Sequence, residues 1–282
     1  MFYQLKKLIK SNDRLADFCR YFYIPFVALN KLSFNIGAYL RKKNYCLDKN
    51  YKSLREYKNI HEGKRCFIVA TGPSLTTNDL DKLTNEITFS MNSIYVSFGD
   101  TKWRPTYYGI QDRFVYEKIH KFIHENDYES IFIGSTISKH FKIKKSSKIN
   151  YFPLDLLWQQ IPRKDYHTKF SDNIYERVYS GYNIAFSMLQ IAVYMGFKEI
   201  YLLGQDCNYQ QEKKYFIEDN NRKEEKYFTK RHFKENTNKF IFSFQVAYEY
   251  ALKHNIKIYN ATRGGMLEVF PRVVLDDVLK NI

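Results

Sequence analysis

The sequence predicts an α/β fold built on a mostly parallel sheet, with a helical extension before it and a polar lid region near its end. Three observations carry this reading. From Arg65 onward, short continuous apolar runs alternate with segments whose apolar residues fall at helical spacing. Five of those runs empty into small polar clusters, Thr71-Gly72-Pro73-Ser74, Asn92-Ser93, Gln111-Asp112, Gln205-Asp206 and Asn260-Ala261-Thr262, and parallel sheets bind ligands beyond the carboxyl ends of their strands. Residues 1–60 lack the alternation and are basic and aromatic.

In chain order, Phe2, Leu5, Leu8 and Ile9 share one helical face, with Lys6, Lys7 and Lys10 elsewhere. An aromatic run, Tyr21 to Leu29, is broken by Pro25, and a basic stretch follows from Arg41 to Lys58. Such a segment suits an anionic membrane surface; the alternative is a helix packed on the domain or on another subunit. Residues 61–282 form the second unit. Cys66–Ala70 reads as a buried strand, Gly72-Pro73 as a tight turn, and 77–84 as a helix with hydroxyls and Asn78 at its start. A strand, turn and helix start in this order place free backbone N–H groups where an anion can sit. Strands follow at 87–91, 107–110 and 130–133, with a helix over 114–125 between the last two. Residues 138–180 read as loops or a small lid region around Pro153 and Pro162. Ala185, Met188, Leu189, Ala192 and Val193 predict a helix over 182–195, closed by Gly196. A buried strand at 199–204 comes next, then a charged stretch over 208–238, too long for a connector and read as the lid. A helix over 239–253, a strand at 256–259 and a helix over 271–280 complete the chain.

Composition narrows the classes. In 282 residues, 44% are apolar, enough for a sizeable core, and the net charge is +15. That charge suits nucleic acid, an anionic membrane or a negatively charged small substrate, but no nucleic-acid module is legible, so nucleic acid is not an expected partner. The four cysteines are scattered without a CxxC pair, which points away from a zinc site or disulfide framework and toward a reducing cytoplasm. Lys6, Lys7 and Lys10 interrupt any signal-peptide core, and no apolar run reaches the roughly 20 residues a bilayer span needs. The expectation is a cytoplasmic protein, soluble or peripheral on the inner face of the membrane.

Gly72-Pro73-Ser74-Leu75, Met91-Asn92-Ser93, Arg177-Val178-Tyr179-Ser180-Gly181 and Gly196-Phe197-Lys198-Glu199-Ile200-Tyr201-Leu202-Leu203-Gly204-Gln205-Asp206 occur in this order. Together they resemble the bacterial sialyltransferases of glycosyltransferase family 42. Trp103-Arg104-Pro105-Thr106-Tyr107-Tyr108 and Tyr259-Asn260-Ala261-Thr262-Arg263-Gly264-Gly265 look like a wider bacterial group linked to flagellin glycosylation and surface polysaccharides, sometimes described as pterin-pyrophosphokinase-like. The resemblance covers about residues 65–275.

It implies one Rossmann-like domain of the GT-A variant kind, a nucleotide-sugar donor such as CMP-sialic acid, and inversion without a metal or other cofactor. Carried over, Gly72, Pro73, Ser74 and Asn92 approach the nucleotide, with Ser180 and Gly181 before the helix; Thr71, Ser93, Gln205, Asn260 and Thr262 join the candidate binding residues as members of the strand-end clusters. Gln111 or Asp112 stands where the family has a second donor-contacting Asn. Arg177, Tyr209 and Tyr215 are placed near the leaving phosphate. His232 is the candidate general base, histidine being suited to that work near neutral pH, with Asp112 and Asp206 as competitors. Asp79-Leu80-Asp81 matches D-x-D in letters but falls in a predicted helix, so no metal ligand is assigned. The expected partners are a nucleotide-sugar donor and a glycan or glycolipid acceptor, with membrane contact and a homo-oligomer left open. Two alternatives stand beside this: a pyrophosphokinase-like nucleotide-phosphate transferase, and a non-catalytic polysaccharide-assembly protein.

Overall fold

A computed structural model describes residues 13–45, 49–144, 146–156, 159, 166–208, 216–217 and 230–280, with backbone only for 13–23 and 230–234. Its centre is a seven-stranded sheet in the order β5-β4-β3-β2-β1-β8-β9, every pairing parallel. The strands are β1 (Arg65–Val69), β2 (Thr88–Met91), β3 (Tyr107–Ile110), β4 (Ser130–Gly134), β5 (Ile149–Phe152), β8 (Glu199–Leu203) and β9 (Lys257–Asn260). A separate parallel pair joins β6 (Leu154–Asp155) to β7 (Val178–Tyr179).

The strands read as continuous apolar runs because both faces are covered. Alternate residues of β1 enter different layers. Cys66 and Ile68 pack with α5 (Ile184–Tyr194) and α6 (Lys230–Lys253), through residues such as Met188, Ile191 and Phe244. Phe67 and Val69 pack with α2 (Thr77–Lys82), α3 (Arg113–Glu125) and α7 (Leu275–Lys280), through Leu80, Ile119 and Val278. The short α4 (Ser135–Ser138) follows β4 directly.

α5 ends at Gly196, whose φ is +93°. A Cβ there would lie 2.9 Å from the Glu62 Cα, so only glycine lets the helix end close on the turn before β1. That turn takes up the helix's last carbonyls, with Asn59 N–H on Tyr194 O and His61 N–H on Met195 O.

The structure departs from the sequence reading in three places. α1 (Asp13–Lys42) runs through Pro25 instead of breaking there. One missing N–H and the ring clash cost about 3 kcal/mol, which a 30-residue helix seated by Val27, Ala38 and Arg41 absorbs. Residues 138–180 contain β5, β6 and β7. α6 begins at Lys230, so residues 230–238 are helix and not loop.

Candidate functional site

The chain runs outward from β1 to β5 on one side and then returns to place β8 and β9 on the other. The loops after β1 and β8 therefore leave in opposite directions, and a crevice opens between their carboxyl ends. Thr71, Gly72, Pro73, Gln205 and Asp206 line it, and Asn92, Gln111 and Asp112 join them from β2 and β3. The cleft has a volume of about 350 Å³.

The two loops are bonded into one unit. Gly72 N–H donates to Gly204 O at 2.9 Å. The Asp206 carboxylate accepts from Ser74 Oγ at 2.8 Å and Ser74 N at 3.2 Å. A Cβ on Gly72 would sit 2.0 Å from Asp206 Oδ2. Glycine is thus required at position 72 by the close approach of Asp206, and the turn's N–H groups are largely spent inside the protein. Gly72, Ser74 and Leu75 all donate to protein acceptors, which corrects the expectation that they wait free for an anion. Burial raises the Asp206 carboxyl above its ordinary range, against the Ser74 bonds and the nearby Arg263 charge, which pull it down.

A third strand end braces this unit. Thr262 Oγ1 accepts from Gln205 N at 3.0 Å, and Asn260 Oδ1 accepts from Thr262 N at 3.0 Å. Arg263 reaches across to donate to Asp79 Oδ1 and to Ser74 O, both at 2.7 Å. Asp79 also closes the capping box of α2 with Thr76. This is why the D-x-D letters have no metal-like setting: Asp79 is a buried helix-start carboxylate already held by Arg263 and Thr76.

The anion-binding capacity lies elsewhere in the cleft, at helix amino ends. Asp112 caps α3 through Phe114 N (2.7 Å) and Val115 N (3.1 Å), using Oδ1 for both. Asn183 caps α5 through Phe186 N at 2.8 Å, with Tyr182, Ile184 and Ala185 lining the wall beside it. Asn92 starts the 3-10 helix Asn92–Gly99. The ends at Asn92 and Asn183 present the positive pole of their peptide dipoles to the cleft, whereas at α3 the Asp112 carboxylate occupies that pole. Three non-glycine residues on the wall, Asn92 (φ +49°), Tyr182 (φ +66°) and Cys207 (φ +52°), hold left-handed backbone. Bulky residues in that region carry strain, and such strain concentrates at ligand sites. Cys207 is buried, and burial pushes its thiol up to about 12, away from the thiolate form.

Several expected residues stand apart from the cleft. Arg177 pairs with Asp155 at 3.1 Å, donates to Asn35 Oδ1 and lies over the rings of Phe34 and Tyr179, joining α1 to the β6–β7 pair. That setting uses it as a strut and leaves it off the cleft wall. Ser180 is buried under Gln159 Nε2 (2.8 Å), and a Cβ on Gly181 would strike the Phe186 ring at 2.3 Å, so both shape the entry to α5. Ser93 is buried, and Asn260 and Thr262 act from behind as braces. Tyr209 and Tyr215 lie outside the described residues, and His232 is placed by backbone alone in the first turn of α6. The sequence reading missed Tyr182, Asn183, Asn208, Asn236 and Phe240 on the wall. Only Asn183 carried a signal, as a capping residue before a helical pattern.

The family model for 6-hydroxymethylpterin diphosphokinase MptE-like proteins matches residues 41–212, more than half of the chain. The chain belongs to this MptE-like family. The MptE-like region takes in β1 to β8 and the loops that form the crevice between β1 and β8. No curated protein matches the chain. Among solved structures, the chain is similar to the MAf glycosyltransferase from Magnetospirillum magneticum AMB-1, at 13% identity and a TM-score of 0.46, covering 79% of this chain and 38% of that one. It is also similar to the sialyltransferase CstII from Campylobacter jejuni in complex with cytidine-5'-monophosphate (18% identity, TM-score 0.48, 75% and 85% covered) and with CMP-3FNeuAc (19%, 0.44, 74% and 86%).

Proposed function

We propose that the chain is a nucleotide-dependent transferase whose donor phosphate sits in the crevice between β1 and β8. The donor is a nucleotide sugar, with a CMP-linked acid sugar as first choice. The observation that carries the nucleotide reading is the convergence of two helix starts without an acidic cap, at Asn92 and Asn183, on one cleft at the sheet's switch point. The ordered motifs from Gly72 to Asp206 support the sugar reading.

In this reaction the acceptor hydroxyl oxygen attacks the anomeric carbon and the bond to the phosphate oxygen breaks. The nucleotide leaves with the electron pair, and the hydroxyl proton passes to a base. His232 is the proposed base. Asp112 is an alternative, since it lines the cleft and both of its cap bonds fall on Oδ1. Tyr209 and Tyr215 are the proposed donors to the leaving phosphate, with helix ends supplying the charge stabilisation a metal would otherwise give. The acceptor is proposed to be a glycan or glycolipid of the bacterial surface.

The MptE-like match favours one second reading, phosphate-group transfer from ATP with Mg²⁺. Calorimetric titration with CMP, UDP-sugars and ATP, each with and without Mg²⁺, separates the two. Tight CMP binding without metal supports the sugar reading, and ATP binding only with Mg²⁺ replaces it by the second. No nucleotide binding at all removes both and leaves a non-catalytic assembly role. For the base, His232→Ala abolishes transfer with donor affinity nearly intact; near-normal turnover rules His232 out and leaves Asp112 or Asp206.

A further inference from the structure

α1 carries two apolar faces. The inner one, with Val27, Phe34 and Ala38, seats the helix on the domain, where Arg41 donates from Nε and Nη2 to Glu176 O at 3.0 and 2.8 Å. The opposite face holds Leu29, Leu32, Ile36 and Tyr39, which are 66, 57, 52 and 58% exposed. At about 100° per residue these four fall on one narrow arc, directly away from the inner face. Lys43 lies over the Tyr39 ring at 6.0 Å and ends this row with a cation.

The same end of α1 walls a second cleft, of about 790 Å³, with Arg41, Lys42, Arg55, Lys58, Lys198 and His254 around it. Lys198 and Ile256 precede β8 and β9, so this cleft lies at the amino ends of the strands, remote from the donor crevice. Among the described residues on its wall the one acid is Asp172, which accepts from Tyr250 Oη at 2.9 Å. Arg55 is held in place over the Tyr175 ring at 4.3 Å and bonded to its hydroxyl at 3.1 Å. Across residues 1–60 there are thirteen Lys and Arg against four Asp and Glu.

We infer that the outer face of α1 docks on an anionic lipid bilayer, with Leu29, Leu32, Ile36 and Tyr39 in the acyl boundary, Lys43 on the headgroups, and the basic cleft adding to the positive field that draws the chain to them. Charge selects this occupant. A second copy would bring together two chains of net charge +15, whereas anionic headgroups complement that charge. An exposed helix of this kind binds in the interface plane, and no described helix is long and apolar enough to cross a membrane. The inference is independent of the nucleotide reading.

The test is flotation of the full chain with vesicles of phosphatidylcholine alone and of phosphatidylcholine mixed with phosphatidylglycerol. The expected result is flotation with the mixed vesicles only, released by salt. Leu29→Ser with Ile36→Ser leaves net charge and melting temperature unchanged and weakens vesicle binding by about tenfold or more. Lys43→Gln weakens it by about fivefold. Leu252→Ser, which removes an equally exposed leucine from α6 (64%), leaves it unchanged. Equal flotation of wild type and the Leu29/Ile36 variant overturns the inference, since any basic protein would then do the same. A concentration-dependent dimer in light scattering that the Leu29/Ile36 variant abolishes also overturns it, by assigning the face to a second copy.

Discussion

At position 72 a hydrogen is the largest substituent the backbone accepts. The Asp206 carboxylate and Gly204 O occupy the space of a Cβ at 2.0 and 2.5 Å. Gly72→Ala is therefore expected to displace Asp206 from Ser74, cost about 2 to 3 kcal/mol of stability, and reduce donor affinity at least tenfold, read by chemical denaturation and calorimetry. Arg263 is the other sensitive residue. Its guanidinium satisfies a buried Asp79 and the carbonyl of Ser74 together. Arg263→Gln leaves that carboxylate underpaired and should cost about 2 kcal/mol, discounted because Arg263 itself is half exposed. Burial alone would raise the Asp79 carboxyl, but the bonds from Arg263 and Thr76 outweigh it and hold it below the ordinary carboxylate range. A depressed folded value means stability present above the unfolded value, near 3.8, and lost as pH falls through the folded one. Wild type should therefore lose more melting temperature on acidification through that range than Arg263→Gln does. Equal acid sensitivity of the two proteins would remove the clamp from the account.

Among the elements, α5 matters most to the site. It is buried along nearly its whole length and delivers its amino end to the cleft through Asn183. Asn183→Ala loses the cap to Phe186 N–H, at about 1 kcal/mol, and is expected to weaken donor binding as well. A variant that melts lower yet binds the nucleotide unchanged would show that this helix end does not face the phosphate. The α5 pattern was legible in sequence because its apolar residues repeat at helical spacing. The start of α6 was not, because residues 230–238 are mostly charged or polar and offer no apolar stripe. β5 was hidden for a different reason: it is an edge strand behind a lysine-rich approach, and it buries a polar residue, Asn150, which bonds to Tyr57 Oη at 2.9 Å. A local rule breaks α1 at Pro25, but the seat of that helix is tertiary.

The whole molecule adds an arrangement that individual strands do not carry. The order β5-β4-β3-β2-β1-β8-β9 sets the reversal between β1 and β8, and the loops that meet there are 132 residues apart at Ser74 and Asp206. A donor bound in that crevice touches elements from both halves of the sheet, so it should stabilise the protein as a unit. At a hundredfold excess over its dissociation constant the gain is about 2.7 kcal/mol, visible as a rise in melting temperature with the true donor nucleotide and not with the others. The shift should shrink in Asn183→Ala, which links the element to the global readout.

The sequence by itself determined the α/β class, most strand positions and the polar clusters at the strand ends, because a strand buried on both faces must be short and continuously apolar. It also carried the motif set from Gly72 to Asp206. Which polar residues face the ligand was decided only by tertiary structure. Arg177, Ser180, Asn260 and Thr262 have the right chemistry but spend it on Asp155, Gln159, Leu267 and Gln205. Tyr182, Cys207 and Asn236 reach the wall through backbone turns and helix placement that no local pattern encodes. The physical reason is that a hydrogen-bonding group has many possible partners in sequence and one in space, and the partner it finds is set by which strands the sheet makes neighbours.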